Sequence, residues 1–212
     1  MRGLLSIEFR VMIAGMTQTP PDNDRWIQTY IDQTLATITE LKSQSRAIGQ
    51  ISNLIAEALF SGHKLLTAGN GGSAAEALHL AEELTGRYNR SDRRALPALC
   101  LAADTTALTC IANDWDFSKV FSRQIEAFAQ AGDVLVLFST SGNSANVIAA
   151  AAVMRQRGGK VVGLLGKGGG KLLAMCDAAI VAAGAKSGAI QEAHQVILHL
   201  ILERVEQYDT AG

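Results

Sequence analysis

Five short runs of the chain, Lys64–Ala68, Ala98–Leu101, Val134–Phe138, Val161–Leu165 and Ala178–Ala182, are nearly continuous in apolar character. Strands covered on both faces need that texture, whereas a half-solvated strand alternates apolar with polar residues. Between the runs lie stretches with helical spacing at Ser73–Leu84, Phe117–Ala129 and Ser144–Arg157, a short turn near Lys171–Met175, and a final helix over Gly188–Tyr208. Strand and helix alternate through short glycine-rich joints. This predicts an α/β domain built on an open parallel five-stranded sheet flanked by helices. Ligands of such sheets sit beyond the carboxyl ends of the strands, where the next helices begin. Chemistry is therefore expected just after each run.

Ahead of the first run, Ile27, Ile31, Leu35, Ile38, Leu41 and Ile48 recur at helical spacings between Trp26 and Leu59. A long N-terminal helix, broken once, is expected there, with an apolar face that a partner subunit can cover. Residues 1–25 read as a leader that is flexible or not native, and 26–212 as a single domain carrying the N-terminal helix. The first sixteen residues are apolar, yet Glu8 and Arg10 interrupt any signal-peptide core, and Met16 opens a polar stretch that suits a true start. With 19 basic against 20 acidic residues, the chain lacks the cationic footprint that binds nucleic acid. At 48% apolar it has enough core to fold, and its longest apolar run, Val147 to Met154, is too short to span a bilayer. Cys100, Cys110 and Cys176 form no CxxC pair, so they read as small apolar residues in a reducing compartment. A cytoplasmic protein is expected.

Three constellations follow the strands. The first is Gly69-Asn70-Gly71-Gly72-Ser73, a turn that allows close backbone approach and opens a helix whose free N–H groups suit an anion, with Ser73 as a candidate cap. It matches neither the dinucleotide nor the nucleoside-triphosphate fingerprint. The second is Ser139-Thr140-Ser141-Gly142-Asn143-Ser144, a dense set of neutral donors at a helix start, suited to a phosphate monoester. Lys167-Gly168-Gly169-Gly170-Lys171 follows the fourth run and reads equally as a further anion loop or an exposed turn. The third constellation lies on helices. His79 and Glu83 stand at i and i+4 and can share a metal or form an acid–base pair, although Glu82 is also near and Glu83 can instead pair with Arg87. Gln191 and His199 fall on the last helix, about 12 Å and 80° apart. They reach one atom only if Gln191 lies at a frayed start or if different subunits contribute them. His63 and His194 receive no role, and Asp114 reads as a loop acid after a helix.

Taken in order, GNGGS, HLAEELTGRY, the NDW turn with FSRQ after it, FSTSGNS, GKGGGK and IQEAH resemble the sugar isomerase (SIS) family, most closely its phosphoheptose isomerase branch, from about Trp26 to Glu206. The resemblance implies a flavodoxin-like sheet order and an aldose–ketose isomerase. Its members turn sedoheptulose 7-phosphate into D-glycero-D-manno-heptose 7-phosphate through an enediol, at the head of ADP-heptose type precursor synthesis for lipopolysaccharide or other glycoconjugates. By position, Gly69, Asn70, Gly71, Gly72, Ser73, Ser139, Thr140, Ser141 and Ser144 correspond to the substrate and phosphate pocket. Glu83, Asn113, Asp114 and Gln191 correspond to further substrate contacts. His79, Glu83, Gln191 and His199 correspond to the ligands of one zinc per subunit, and Glu83 and His199 to the proton-transfer pair. A homotetramer with active sites at subunit boundaries is implied. The chain departs from the family at Ala74-Ala75-Glu76, where His-Cys-Asp is frequent, and in the loop Gly184–Ala189 before IQE. Two other readings share the fold: a non-catalytic SIS protein that binds a replication initiator, and an isomerase of another sugar phosphate. The non-catalytic relatives lose the His/Glu/His set that this chain keeps.

Overall fold

A computed structural model describes residues 24–210. The leader expected over residues 1–25 therefore lies outside the described residues, apart from its last two positions. Helix α1 (Arg25–Glu40) passes through one 3-10 turn, Leu41–Gln44, into α2 (Ser45–Phe60), which is the broken N-terminal helix that the apolar spacing predicts. Then follow β1 (Leu65–Gly69), α3 (Gly72–Thr85), β2 (Ala98–Cys100), α4 (Thr105–Asp114), α5 (Ser122–Phe128), β3 (Val134–Ser139), α6 (Ala145–Gln156), β4 (Lys160–Gly166), β5 (Ala178–Ala182) and α7 (Ser187–Thr210).

The five strands are parallel and ordered β2-β1-β3-β4-β5. The order reverses between β1 and β3, so the carboxyl ends of those two strands frame the crevice where ligands of open α/β sheets bind. Strand residues alternate between two cores because successive side chains leave opposite faces of the sheet. Leu65, Val134, Val136, Phe138 and Leu164 pack with Ile55, Leu80, Ile197 and Ile201 of α2, α3 and α7. Leu66, Leu135, Leu137, Val161 and Leu165 pack with Phe121, Ile125, Val147 and Ala151 on the other side. The inner strands β1 and β3 are buried along their whole length, as their unbroken apolar texture requires, while β2 at the sheet edge is only partly buried. No described helix is long and apolar enough to cross a membrane.

Two expectations are corrected. Asp114 is not a loop residue: it closes α4, a helix that the sequence reading did not delimit. Asp104 caps α4 by accepting from the backbone N–H groups of Thr106 at 2.9 Å and Ala107 at 3.0 Å. The segment 117–129 is also not one helix. A 3-10 turn at Phe117–Lys119, held by Asp116 accepting from Ser118 N–H at 2.7 Å, precedes α5.

Candidate active site

The GNGGS turn leaves β1 and starts α3. Its N-cap is Gly71 at φ +54°, a left-handed conformation that favours glycine, and not Ser73, which is buried in the first helical turn. Asn70 spends its side chain on Asn146 of α6 through two reciprocal amide bonds, 2.9 Å and 2.8 Å. Asn146, a residue outside the sequence-based set, thereby ties the turn after β1 to the turn after β3.

That second turn is organised from within. Ser139 Oγ accepts from Gly142 N–H at 3.0 Å, and Ser141 Oγ accepts from Asn143 N–H at 3.2 Å. Ser144 is the N-cap of α6 yet makes no side-chain cap bond, which leaves its hydroxyl for a ligand. Thr140 is half-buried between them. Gly142, at φ +62°, lies so close to the backbone of Gly169 that no Cβ could be accommodated. Leu172 N–H donates to Gly142 O, and Lys171 N–H donates to Asn143 Oδ1 at 3.1 Å. The GKGGGK loop is thus the buttress of the serine-rich turn.

Helices α3 and α7 bring the third constellation together. His79 Nε2 faces Glu83 Oε1 at 3.4 Å. The His199 ring meets that of His79 edge-on, 5.2 Å between centroids. Tyr88 stacks on His199 at 5.9 Å and donates its hydroxyl to Glu203 at 3.2 Å. Burial, and after it the Glu203 carboxylate, push the Tyr88 phenol above its ordinary range. Glu82 also offers an oxygen within 4.8 Å of the His79 and Glu83 ligand atoms, but it is exposed, whereas Glu83 is half-buried against His79 and does not pair with Arg87. Arg93 secures this end of α3: its buried guanidinium donates to the carbonyls of Glu83 at 2.7 Å and Leu84 at 3.0 Å and pairs with Glu206 at 3.7 Å.

Gln191 lies one turn before Gln195 on α7. Its amide lies against Gly72, filling the space a side chain there would need. Gly72 precedes His79 by seven residues, about 10 Å of helix. Gln195, one turn later on α7, takes the place beside the cluster, with Oε1 at 3.0 Å from His79 Nδ1. Gln195 stands four residues from both Gln191 and His199, so a common stripe on α7 was the signal that could have found it. Asn113 and Asp114 are exposed; the Asn113 amide donates to Asp114 Oδ1 at 2.9 Å, and the Cys110 thiol donates to Asp114 Oδ2 at 3.5 Å.

The donor set fits a metal ion. A carboxamide oxygen can only accept, so His79 Nδ1 donates to Gln195, and the neutral ring turns its Nε2 lone pair toward the Glu83 carboxylate. The two ligand atoms, 3.4 Å apart and open to solvent, leave room for a cation, and imidazole with carboxylate suits zinc.

A family model described as "SIS domain" matches residues 29–166. The phosphoheptose isomerase of Pelobacter propionicus is 49% identical over 153 residues, 72% of this chain and 80% of the relative. Among solved structures, phosphoheptose isomerase GmhA from Neisseria gonorrhoeae superposes with a TM-score of 0.82 at 36% identity, covering 87% of this chain and 98% of that one. A phosphoheptose isomerase from Francisella tularensis gives 0.83 at 29% identity, covering 86% and 97%.

Proposed function

The chain belongs to the SIS domain family and within it to the phosphoheptose isomerases, and on that premise we propose that it interconverts sedoheptulose 7-phosphate and D-glycero-D-manno-heptose 7-phosphate through an enediol. The observation that carries this reading is the meeting of His79, Glu83 and His199 from two helices, with the glycine- and serine-rich turns of β1 and β3 at the sheet's switch point. An elongated ligand fits such a layout, with its anion at the turns and its reacting carbons at the cluster.

The turns bind the phosphate with backbone N–H groups at the starts of α3 and α6 and with the hydroxyls of Ser139, Thr140, Ser141 and Ser144. Gln191, over Gly72, contacts the sugar. Glu83 removes the proton from the carbon beside the carbonyl and returns it to the neighbouring carbon, while His199 exchanges the proton of the oxygen. Tyr88 holds the His199 ring in place by stacking. A zinc ion held by His79, Glu83 and His199 would supply positive charge to steady the oxygen as the enediol forms. Asn113 and Asp114, exposed at the end of α4, reach substrate in an assembly of subunits.

That assembly is a homotetramer in this reading. Trp26, Ile27, Ile31 and Leu35 are exposed along α1. Beside them an apolar cleft of ≈ 630 Å³ lies between Ile38, Leu41, Ile48, Val196 and Leu200. Monomers seldom leave so much apolar surface in water. Three free thiols suit a reducing cytoplasm, and the product is the precursor from which activated heptose for lipopolysaccharide or another glycoconjugate is made.

The test is incubation of the full chain with sedoheptulose 7-phosphate, with and without a chelator, reading aldoheptose 7-phosphate. Conversion that the chelator suppresses is expected, with pentose and hexose phosphates turned over far more slowly. A preference for one of those shorter sugars would replace the substrate assignment.

A further inference from the structure

Among the described residues, the buried side-chain atoms with no hydrogen-bond partner are Glu76 Oε1, Glu76 Oε2 and His194 Nδ1. All three belong to one contact, in which His194 Nδ1 faces Glu76 Oε1 at 3.7 Å, with side-chain exposures of 0% and 3%. His194 Nε2 lies 3.1 Å from Leu165 O, and a carbonyl only accepts, so Nε2 carries a proton there. Without another proton, Nδ1 would turn a lone pair toward a buried carboxylate, two acceptors enclosed with an uncompensated charge. Such an arrangement costs several kcal/mol, and native interiors avoid it. A metal does not fit, because the contact supplies two ligand atoms and is sealed from water. One further proton between Glu76 and Nδ1 makes the pair neutral and gives the contact the donor it lacks.

The elements joined are those that carry the site. Glu76 lies on α3 between Gly72 and His79, His194 lies on α7 between Gln191 and Gln195, and Leu165 lies near the carboxyl end of β4. The Phe138 ring, at the end of β3, meets His194 edge-on at 6.1 Å. The register of α3 against α7 sets both the seat of Gln191 over Gly72 and the approach of His199 to His79. We propose that Glu76 and His194 share one proton in a buried strut from α3 through α7 to β4, which makes them positioning residues for His79, Glu83 and His199.

The test has two arms on the full chain, labelled with ¹⁵N at its four histidines. In the first, nitrogen spectra of the wild type should show His194 Nδ1 protonated or strongly hydrogen-bonded, and Glu76→Leu should move it to the position of a bare, pyridine-type nitrogen. A bare Nδ1 signal already in the wild type overturns the proposal whatever the chain catalyses. The second arm rests on the isomerase reading. Per folded molecule, Glu76→Leu should lower kcat about tenfold or more with KM little changed, since a displacement near 1 Å is that costly to aligned groups. Glu76→Gln, whose amide can donate to Nδ1, should restore most of kcat. Unchanged kcat in folded Glu76→Leu overturns the positioning role. If Glu76→Leu does not fold, Glu76→Gln must still keep most of kcat with Nδ1 hydrogen-bonded, and a bare Nδ1 there overturns the proposal. Absence of turnover by the wild type would sink the isomerase reading and leave the nitrogen arm standing.

Discussion

Two histidines here each turn one ring nitrogen toward a carboxylate oxygen, and their surroundings give the two contacts opposite meanings. His79 Nε2 and Glu83 Oε1 are 3.4 Å apart with side-chain exposures of 30% and 18%, so a cation can arrive from solvent. His194 and Glu76 are sealed, so only a proton can lie between them. Gln195 fixes the tautomer of the first by engaging His79 Nδ1. Gln195→Leu should therefore weaken zinc binding about tenfold or more, read by competition with a chromophoric chelator. Spacing alone put His79 beside Glu82 and Glu83 alike, because both fall within a turn of it. Exposure separates them, and exposure depends on how α7 lies across α3. Cys176 gives a prediction in pH. Burial first, and then the Asp177 carboxylate, push its thiol up to about 11, so thiolate forms only as pH rises toward that value. Alkylation of Cys176 in the native chain should stay slow at pH 8, with about a thousandth as thiolate, and accelerate above pH 10.

At the scale of elements, the strands were legible because burial on both faces demands unbroken apolar runs, and three of the five runs sit within one or two residues of the buried strands β1, β3 and β4, while a fourth matches the partly buried edge strand β5. The short edge strand β2 was found by its apolar run although it is only partly buried. Helix α4 escaped notice because TTALTCIAND is short and rich in Thr, Asn, Asp and other weak helix formers, and it owes its start to the Asp104 cap. The motif turns were legible as donors, but the bonds that spend those donors were not. Asn70 read as a ligand contact, yet its amide is engaged by Asn146, 76 residues away in sequence. Asn146→Leu leaves the Asn70 amide without a partner, a change worth about 1–3 kcal/mol, and should raise KM for the sugar phosphate roughly tenfold. Arg93→Leu removes the cation that holds the carbonyls at the end of α3 and its ion pair with Glu206, which keeps only the bonds from the Asn89 and Arg90 N–H groups. A loss of about 3 kcal/mol in unfolding free energy is expected in denaturant titration.

For the whole molecule, the parallel order 2-1-3-4-5 places the two motif turns side by side, and α3 and α7 then bring His79, Glu83 and His199 together. What one chain leaves open is the apolar face of α1 and the exposed pair Asn113 and Asp114 at the end of α4. Leu35→Asp, a charge placed on the α1 face, should lower the assembly's mass in sedimentation velocity and remove turnover with it, while the isolated chain keeps its helical signal. The most direct measurement compares the wild type with Glu83→Gln on sedoheptulose 7-phosphate, both confirmed as folded assemblies of equal mass. The wild type should form aldoheptose 7-phosphate, and the variant should lose about a hundredfold to ten-thousandfold in kcat, the usual contribution of a positioned proton carrier. Near-normal turnover by folded, assembled Glu83→Gln would contradict the assignment of Glu83 as the base.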